Sequence, residues 1–192
     1  MRNLCKQCMQ CSLLVLLLAV GNSEELLAEL RLPAIFGDQM VLQQKTPITI
    51  WGWANAGEKI RVEFAGQKME TTAGQDTRWQ LQIAALDASF EAQTLVVTGE
   101  RDTVQIKDVL VGEVWLCGGQ SNMEMTMGGT VNRDLEIASA DYDDIRFLRI
   151  PHVSQGEPSA DILIEKDGDC QWQRCTTESV AECTGVGYYF AR

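Results

Sequence analysis

The sequence predicts a β-sandwich followed by an α/β domain, and the second domain is expected to be truncated. Short β-type runs punctuated by Gly, Asn and Asp fill residues 32–109 at the spacing of a sandwich. A nearly continuous apolar run then extends from Val109 to Cys117, as in a strand that is covered on both faces. Helix and strand patterns alternate after this run, which is typical of an α/β layer domain.

The predicted strands of the first domain are five short runs. Alternation within the second run puts Ile60, Val62 and Phe64 on one face and charged residues on the other, as a half-buried strand requires. We therefore expect an antiparallel sandwich. The runs are Ile48–Trp53, Lys59–Phe64, Trp79–Ile83, Thr94–Thr98 and Thr103–Ile106.

The second domain is predicted from the apolar run and three further segments. These are a helix over Asn132–Ala140, a buried strand over Ile145–Ile150 and a second helix over Val180–Arg192. Two or three parallel strands cannot form a sheet that is covered on both faces. Nothing follows Tyr188, Tyr189 and Phe190 to pack against them. This shortage of elements is the reason for expecting a truncated domain.

The N-terminal segment has the layout of a secretory signal peptide. Arg2 and Lys6 precede the apolar run Leu13–Val20, and the small residues Gly21 and Ser23 follow it. The run is too short to span a bilayer, so no transmembrane segment is expected once the signal is removed. We expect a secreted or periplasmic protein with a signal peptide at 1–23, a sandwich at 24–107 and the N-terminal part of the α/β domain at 108–192.

Charge and cysteine pattern argue against two kinds of partner. A formal net charge of -11 gives a surface that repels phosphate backbones, so nucleic-acid binding is not expected. Cys117 lies in the apolar run and is most simply a buried free thiol, whereas Cys170, Cys175 and Cys183 are close enough in sequence for one local disulfide. Their spacing is not that of a zinc site, so no metal is expected.

The candidate chemistry lies at the turn after the apolar run. The segment reads Gly118-Gly119-Gln120-Ser121-Asn122-Met123-Glu124 and is predicted to join a strand to a helix, a placement that suits Ser121 as a nucleophile. Free N–H groups at the start of the helix favour developing negative charge, and Gly119 allows close approach of a substrate. An alternative is structural, because Ser121-x-x-Glu124 is also a capping box. The spacing alone favours that alternative.

A longer string around Ser121 carries a family resemblance. The residues are Val111-Gly112-Glu113-Val114-Trp115-Leu116-Cys117 running into the Gly119–Glu124 turn, together with Ile35–Gln43, Ile50–Ala54 and Gly185–Arg192. This combination resembles the active-site block of the sialate O-acetylesterase family. The resemblance implies a β-sandwich followed by an SGNH-hydrolase-like domain of the flavodoxin-like three-layer type, with no metal or organic cofactor.

The same resemblance implies a role for each residue of the turn. Ser121 would be acylated by an acetyl group removed from a sugar hydroxyl, with Gly119, Gln120 and Asn122 supporting the turn or the oxyanion. The family's base is a downstream histidine preceded three positions earlier by aspartate. This sequence has a single histidine, His152, with Arg149 at the aspartate position. We therefore expect His152 to lie in a loop without a chemical role, and the catalytic pair to lie beyond the last residue.

The leading functional prediction is hydrolysis of O-acetyl esters on sialic acids through an acyl-serine intermediate. O-acetylated sialic acid or another acetylated glycan would be the partner, and the 192 residues alone are predicted to be inactive. An acetylxylan esterase is a close alternative. An anionic sialate favours a nearby arginine, for which Arg133, Arg146 and Arg149 are candidates, although surface arginines are far more often simply solvated.

A second class of function is binding without catalysis. The sandwich would then hold a glycan on exposed tryptophans, and Ser121 would only cap a helix. Trp51, Trp53 and Trp79 are candidates for such a platform, although aromatic residues in sandwich strands more often belong to the core. A non-catalytic remnant of an esterase is the third alternative.

Overall fold

The computed structural model describes residues 29–154, 156–166 and 168–192, and this part of the chain is mostly sheet. The predicted signal peptide lies outside these residues. The strands are β1 Val41–Gln43, β2 Ile48–Trp53, β3 Lys59–Phe64, β4 Gln67–Thr72, β5 Arg78–Ile83, β6 Ser89–Thr98, β7 Thr103–Gly112, β8 Asp141–Leu148 and β9 Trp172–Thr176. The helices are α1 Ser121–Glu124, α2 Arg133–Ala138 and α3 Gly185–Ala191, with 3-10 turns at Met127–Gly129 and Val180–Glu182.

Two sheets enclose one core in the first half of the chain. The larger has the order β1-β7-β6-β3-β4, and the smaller pairs β2 with β5. Ile60, Val62 and Phe64 of β3 are buried, as their alternation predicts, and they share a core with Ile50 of β2 and Ile83 of β5. All five predicted strands are found, which confirms this part of the prediction.

The expectation of an antiparallel domain is wrong at one edge. β1 runs parallel to β7, with Val41 opposite Leu110 and Gln43 opposite Gly112. After β1 the chain crosses to the smaller sheet, so no hairpin fixes the direction of β1 relative to its neighbour. The sheet is therefore mixed. β1 has only three residues and β4 is largely polar, so neither strand stands out in the sequence.

A bulge bends β7 at Asp108. The pairing with β6 changes register between Leu95 opposite Ile106 and Gln93 opposite Val109, so β7 contains an extra residue. The extra residue is accommodated at Asp108, whose backbone has a φ of 57°. Aspartate tolerates this left-handed conformation better than most residues. The bulge lies at the predicted junction between the two halves of the chain.

The second half has its own small core. β8 pairs antiparallel with β9, and the buried residues beside this hairpin are Met127, Ala140, Cys175, Val180, Cys183 and Tyr188. The strand predicted at Ile145–Ile150 is therefore found only in part, because β8 ends at Leu148 and Ile150 is 44% exposed. It is half-buried rather than buried, and its partner in the described residues is antiparallel rather than parallel. Tyr188 is buried instead of unpacked. Tyr189 and Phe190 are exposed, but they contact Tyr188 and Trp115 edge to face, with ring centroids 5.2 Å and 5.0 Å apart.

The predicted buried strand from Val109 to Cys117 is wrong beyond Gly112. β7 ends at that glycine, and Val114, Trp115 and Leu116 are 41%, 65% and 94% exposed. A strand needs a neighbour to satisfy its backbone groups, and no strand lies beside 113–117 in the described part of the chain. The apolar composition of this segment is thus not matched by burial.

The predicted helices are found with shorter bounds. The helix expected over Asn132–Ala140 is confirmed as α2. The helix expected over Val180–Arg192 is divided, because Cys183 has an extended backbone and Thr184 forms an isolated antiparallel bridge with Thr126. In the described residues, every helix falls short of the length and apolarity that a bilayer crossing demands.

Candidate active site

Two glutamines at the end of β1 hold the start of the segment that leads to Ser121. The Gln44 side-chain amide donates a hydrogen bond to Glu113 Oε1 at 2.7 Å, and that of Gln43 donates to Glu113 Oε2 at 3.1 Å. The backbone N–H of Val114 donates to Gln43 Oε1 at 2.8 Å. The parallel strand β1 thus fixes where the chain leaves β7.

Ser121 is the first residue of α1 and is exposed. The carbonyl of Gln120 accepts hydrogen bonds from the N–H groups of Met123 at 2.8 Å and Glu124 at 3.0 Å. Gln120, and not Ser121, is the N-cap, and no side-chain hydrogen bond caps this helix. The capping-box interpretation favoured by the spacing is therefore wrong, and the Ser121 hydroxyl has no hydrogen-bond partner among the described residues.

The other predicted residues of the turn are brought together around Ser121. Gly119, Gln120 and Asn122 are all exposed. A Cβ added at Gly119 would lie 3.3 Å from Met123 Cβ, so this position packs closely against the turn, whereas the corresponding space at Gly118 is open. Because α1 is a single turn, its dipole adds less to the stabilisation of negative charge than the sequence suggests.

The turn is anchored to the start of α3. The N–H of Gly185 donates to the carbonyl of Met125 at 2.8 Å, and the Thr184 hydroxyl donates to Met123 Sδ at 3.4 Å. A Cβ at Gly185 would approach Thr130 Cγ2 to 2.7 Å, so any side chain at position 185 would require Thr130 to shift. Thr184 and Gly185 lie within the helix predicted over Val180–Arg192, and the sequence pattern does not predict that they hold the turn that carries Ser121.

The cysteines near this turn differ from expectation. Cys117 is exposed rather than buried, because the segment that carries it is not covered by a sheet. A Cβ at Gly187 of α3 would lie 3.3 Å from Cys117 Sγ. Cys170, Cys175 and Cys183 are buried and free, so the local disulfide that their spacing allowed is not formed. Burial, assisted by the neighbouring thiols of Cys175 and Cys117, raises the pKa of Cys183 to about 12.

His152 lies beside the turn. Its Nδ1 is 3.4 Å from Glu124 Oε1, and both side chains are more than half exposed. His152 makes no hydrogen bond to Ser121 in the part of the chain that the structure describes. The histidine therefore contacts the end of α1 without the geometry of a base acting on the serine.

The three candidate arginines have different environments. Arg146 is almost completely buried against Asp108, and Arg149 pairs with Glu182 at 3.0 Å. Arg133 alone of the three lines an open cavity, which has a volume of about 560 Å³ and includes Gly129. Its Nη1 donates to the carbonyl of Gly128 at 3.1 Å. Arg146 is thus unsuited to contact a sugar, whereas Arg133, which pairs with Asp134 at 3.3 Å, is as exposed as Arg149.

No group of three or more His, Cys, Asp or Glu side chains is arranged to hold a metal ion in the described residues. No candidate metal ligands can therefore be named beside Ser121. The turn itself presents the exposed side chains of Gln120, Ser121 and Asn122.

Comparison with known proteins links the sequence and the fold to esterases. No family model matches the chain. The sialate O-acetylesterase of Rattus norvegicus is 32% identical over 158 residues, which are 74% of this chain and 28% of the rat protein. The human sialate O-acetylesterase is 27% identical over 170 residues, 83% of this chain and 31% of the human protein.

A solved structure is also similar to this chain in both sequence and fold. The crystal structure of a carbohydrate acetylesterase from Xanthomonas citri matches with a TM-score of 0.80 and 31% identity, over 85% of this chain and 36% of that protein. The chain thus spans about a third of the length of the proteins it matches. The resemblance to the sialate O-acetylesterase family that the residues around Ser121 carry is therefore confirmed.

Proposed function

We propose that this chain carries the nucleophile of a carbohydrate O-acetylesterase and that Ser121 is that nucleophile. The observation that carries the proposal is the position of Ser121: its hydroxyl is exposed at the start of α1 and is not used as a helix cap. If the serine only stabilised the turn, its hydroxyl would form a hydrogen bond with a backbone group of that turn. The relatives named above support acetyl-ester hydrolysis on carbohydrates as the reaction.

The proposed reaction has two steps. Ser121 Oγ attacks the acetyl carbonyl, the sugar hydroxyl leaves with a proton, and water then hydrolyses the acyl-serine to release acetate. The N–H of Ser121 is one oxyanion donor, while Gly119 and Asn122 support the turn. A base must accept the Oγ proton. The family's Asp-x-x-His pair does not occur in the 192 residues, so these residues alone are expected to be inactive.

The proposed substrate is an O-acetylated sialic acid. The carboxylate of this sugar needs a cationic partner, and Arg133 lines a cavity close in sequence to the turn. The first lining residue, Gly128, is four positions after Glu124. An acetylxylan esterase is the second candidate, since a neutral sugar has no need of this arginine. Comparing acetate release from O-acetylated N-acetylneuraminic acid and from acetylated xylan decides between them. A preference for xylan that is unchanged in Arg133→Gln contradicts the sialate assignment.

The organisation of the protein is part of the proposal. Two separate cores, one formed by residues 30–111 and one by residues 127–188, support a division of the chain into a sandwich and an esterase portion. The proposed bounds are 24–107 and 108–192, and Val109 and Val111 of the first core lie just past that boundary. The pattern of residues 1–23 supports export to the cell exterior or the periplasm. Detection of a mature N-terminus near residue 24 in secreted or periplasmic material tests this part.

The direct test of the function is acetate release by the protein expressed from its complete gene. Ser121→Ala is expected to lower kcat by about a thousandfold or more, because the nucleophile is removed while the scaffold remains. Ser139→Ala is a matched control, since Ser139 is also an exposed serine but only donates to the carbonyl of Glu136. Equal activity of the Ser121→Ala and Ser139→Ala variants contradicts the proposal.

A further inference from the structure

The smaller sheet of the sandwich presents an aromatic surface that the esterase chemistry does not use. Trp51 and Trp53 alternate on β2, so their side chains project from the same face. Opposite them on β5 lie Gln80, paired with Trp51, and Arg78, paired with Trp53. Trp51 is 36% exposed and Trp53 is half-buried, whereas Trp79 on the other face is buried in the core.

These side chains line a cavity. Its volume is about 410 Å³, and Asp76, Gly52 and Ala160 complete its walls. Ala160 comes from the long segment between β8 and β9, so the second half of the chain closes one side of a cavity that is built mainly by the sandwich. The cavity includes no residue of the Gly119–Glu124 turn, and it is therefore separate from the candidate active site.

Both tryptophans are held by a neighbouring side chain, which at Trp53 covers one face of the ring. Phe36 packs against Trp51 in an edge-to-face arrangement with ring centroids 4.7 Å apart. The guanidinium of Arg31 stacks on Trp53, 3.8 Å from the ring centroid, and is itself held by an ion pair with Asp161 at 3.0 Å. Because these contacts already restrict the two tryptophan side chains, stacking of a ligand on their rings would cost little side-chain conformational entropy, which favours binding.

The polar groups of the cavity are only partly engaged by the protein. Arg78 makes no ion pair, and the Gln80 side chain no hydrogen bond, with the described residues. Asp76 accepts a hydrogen bond from the backbone N–H of Arg78 at 3.3 Å, which leaves its other carboxylate oxygen for further donors. Trp79 also borders the cavity, but its indole N–H is buried and is not available to a ligand.

We propose that this cavity binds a pyranose ring of a glycan, as a site additional to the one at Ser121. A sugar ring offers an apolar C–H face that stacks on indole and a rim of hydroxyls that both donate and accept hydrogen bonds. Trp51 and Trp53 match the first requirement, and Asp76, Arg78 and Gln80 match the second. A purely apolar ligand would leave these three polar groups unpaired.

Glycan binding in this cavity does not depend on the reaction proposed for Ser121. If the esterase function is correct, this site would hold a glycan chain that carries acetyl groups elsewhere along its length. If Ser121 is not the nucleophile, the cavity retains the same chemistry. Binding in a Ser121→Ala variant separates the two proposals, because that substitution removes only the hydrolysis.

The test is a titration of the full-length Ser121→Ala protein with xylohexaose and, separately, with N-acetylneuraminic acid. Binding is followed by tryptophan fluorescence and by saturation-transfer NMR of the sugar. At least one probe is expected to bind, and Trp51→Ala and Trp53→Ala are each expected to weaken that binding by about tenfold or more. Trp115→Ala is the matched control, since Trp115 is 65% exposed but lies outside the cavity.

Three outcomes would each overturn the proposed glycan site. The first is that neither sugar binds to the folded protein at millimolar concentration. The second is that binding persists in a Trp51→Ala/Trp53→Ala double variant with an unchanged unfolding midpoint. The third is that binding is lost equally in Trp115→Ala. Gln80→Ala provides a check that is independent of aromatic packing, and it is expected to weaken binding without changing the unfolding midpoint.

Discussion

Asp108 and Arg146 form a bidentate ion pair that joins the β7 bulge to the β8–β9 hairpin. Arg146 Nη1 lies 2.9 Å from Asp108 Oδ2, and Nη2 lies 3.3 Å from Oδ1. The Arg146 side chain is 3% exposed and that of Asp108 18%. Arg174 adds a second guanidinium at 2.7 Å from the same carboxylate. The bulge thus directs one carboxylate towards two arginines of the hairpin and docks the second half of the chain on the sandwich.

Loss of Asp108 is expected to destabilise this docking strongly. Asp108→Asn leaves the guanidinium of Arg146 buried without its counter-charge, and the free energy of unfolding should fall by about 3 kcal/mol or more. Asparagine tolerates the left-handed backbone at this position, so the effect reports the charge rather than the bulge. Denaturant unfolding measures it.

An exposed ion pair provides the control for that experiment. Arg61 and Glu70 are 3.0 Å apart with side chains 54% and 68% exposed. Glu70→Gln should therefore change the free energy of unfolding by about 1 kcal/mol or less. Similar effects of Asp108→Asn and Glu70→Gln would contradict the role assigned to Asp108.

Stability is expected to fall in acid through the same carboxylate. Burial alone would raise the pKa of Asp108, but the hydrogen bonds and charges of Arg146 and Arg174 outweigh it and hold the pKa below its ordinary value of 3.8. A depressed pKa in the folded state contributes stability that is present above the unfolded value and is lost as the pH falls through the folded value. Unfolding free energies measured between pH 7 and pH 3 should therefore decline more steeply for the wild type than for Asp108→Asn. Parallel curves would contradict this linkage.

Bulk at Gly119 is expected to impair catalysis more than bulk at Gly118. A Cβ at Gly119 meets Met123 Cβ at 3.3 Å, whereas one at Gly118 meets nothing within 4 Å. Gly119→Val must shift the turn that carries Ser121, and small displacements of a nucleophile are costly, so kcat should fall by about tenfold or more. Acetate release by Gly119→Val and Gly118→Val in the full protein compares the two. A larger loss in Gly118→Val would show that Gly119 does not set the position of the turn.

Cys117 is expected to be the most reactive thiol of the four described. It is exposed, whereas Cys170, Cys175 and Cys183 are buried, and burial raises the pKa of each of these three. Alkylation by N-ethylmaleimide at pH 7.5, followed by peptide mapping, should modify Cys117 about tenfold faster or more. In denaturant the four rates should converge. Equal rates in the native protein would show that 113–117 is covered.

The sandwich could be predicted closely because its strands are half-buried. In Lys59–Phe64, apolar and polar residues alternate because only one face of the strand is buried, and β2 and β5 have similar patterns. β4 could not be predicted, since it is an edge strand and carries few apolar residues. The parallel direction of β1 depends on where the chain crosses between sheets, which local pattern does not contain.

The second half was harder to predict because composition and burial disagree there. Val114, Trp115 and Leu116 form an apolar run that is nonetheless exposed. For Ser121, spacing alone favoured a helix cap, and only the longer string around it pointed to a nucleophile. Arg146 was a candidate sugar ligand because its partner Asp108 is 38 residues away, a separation that no sequence pattern reveals.

Trapping the acetyl-enzyme tests the central claim most directly. The full protein is mixed with an acetyl ester such as 4-nitrophenyl acetate, quenched in acid within milliseconds and digested for mass spectrometry. The account predicts an acetyl group on the peptide that contains Ser121, located on Ser121 itself and missing from the Ser121→Ala variant. An acetyl group on another residue, or full turnover by Ser121→Ala, would contradict it.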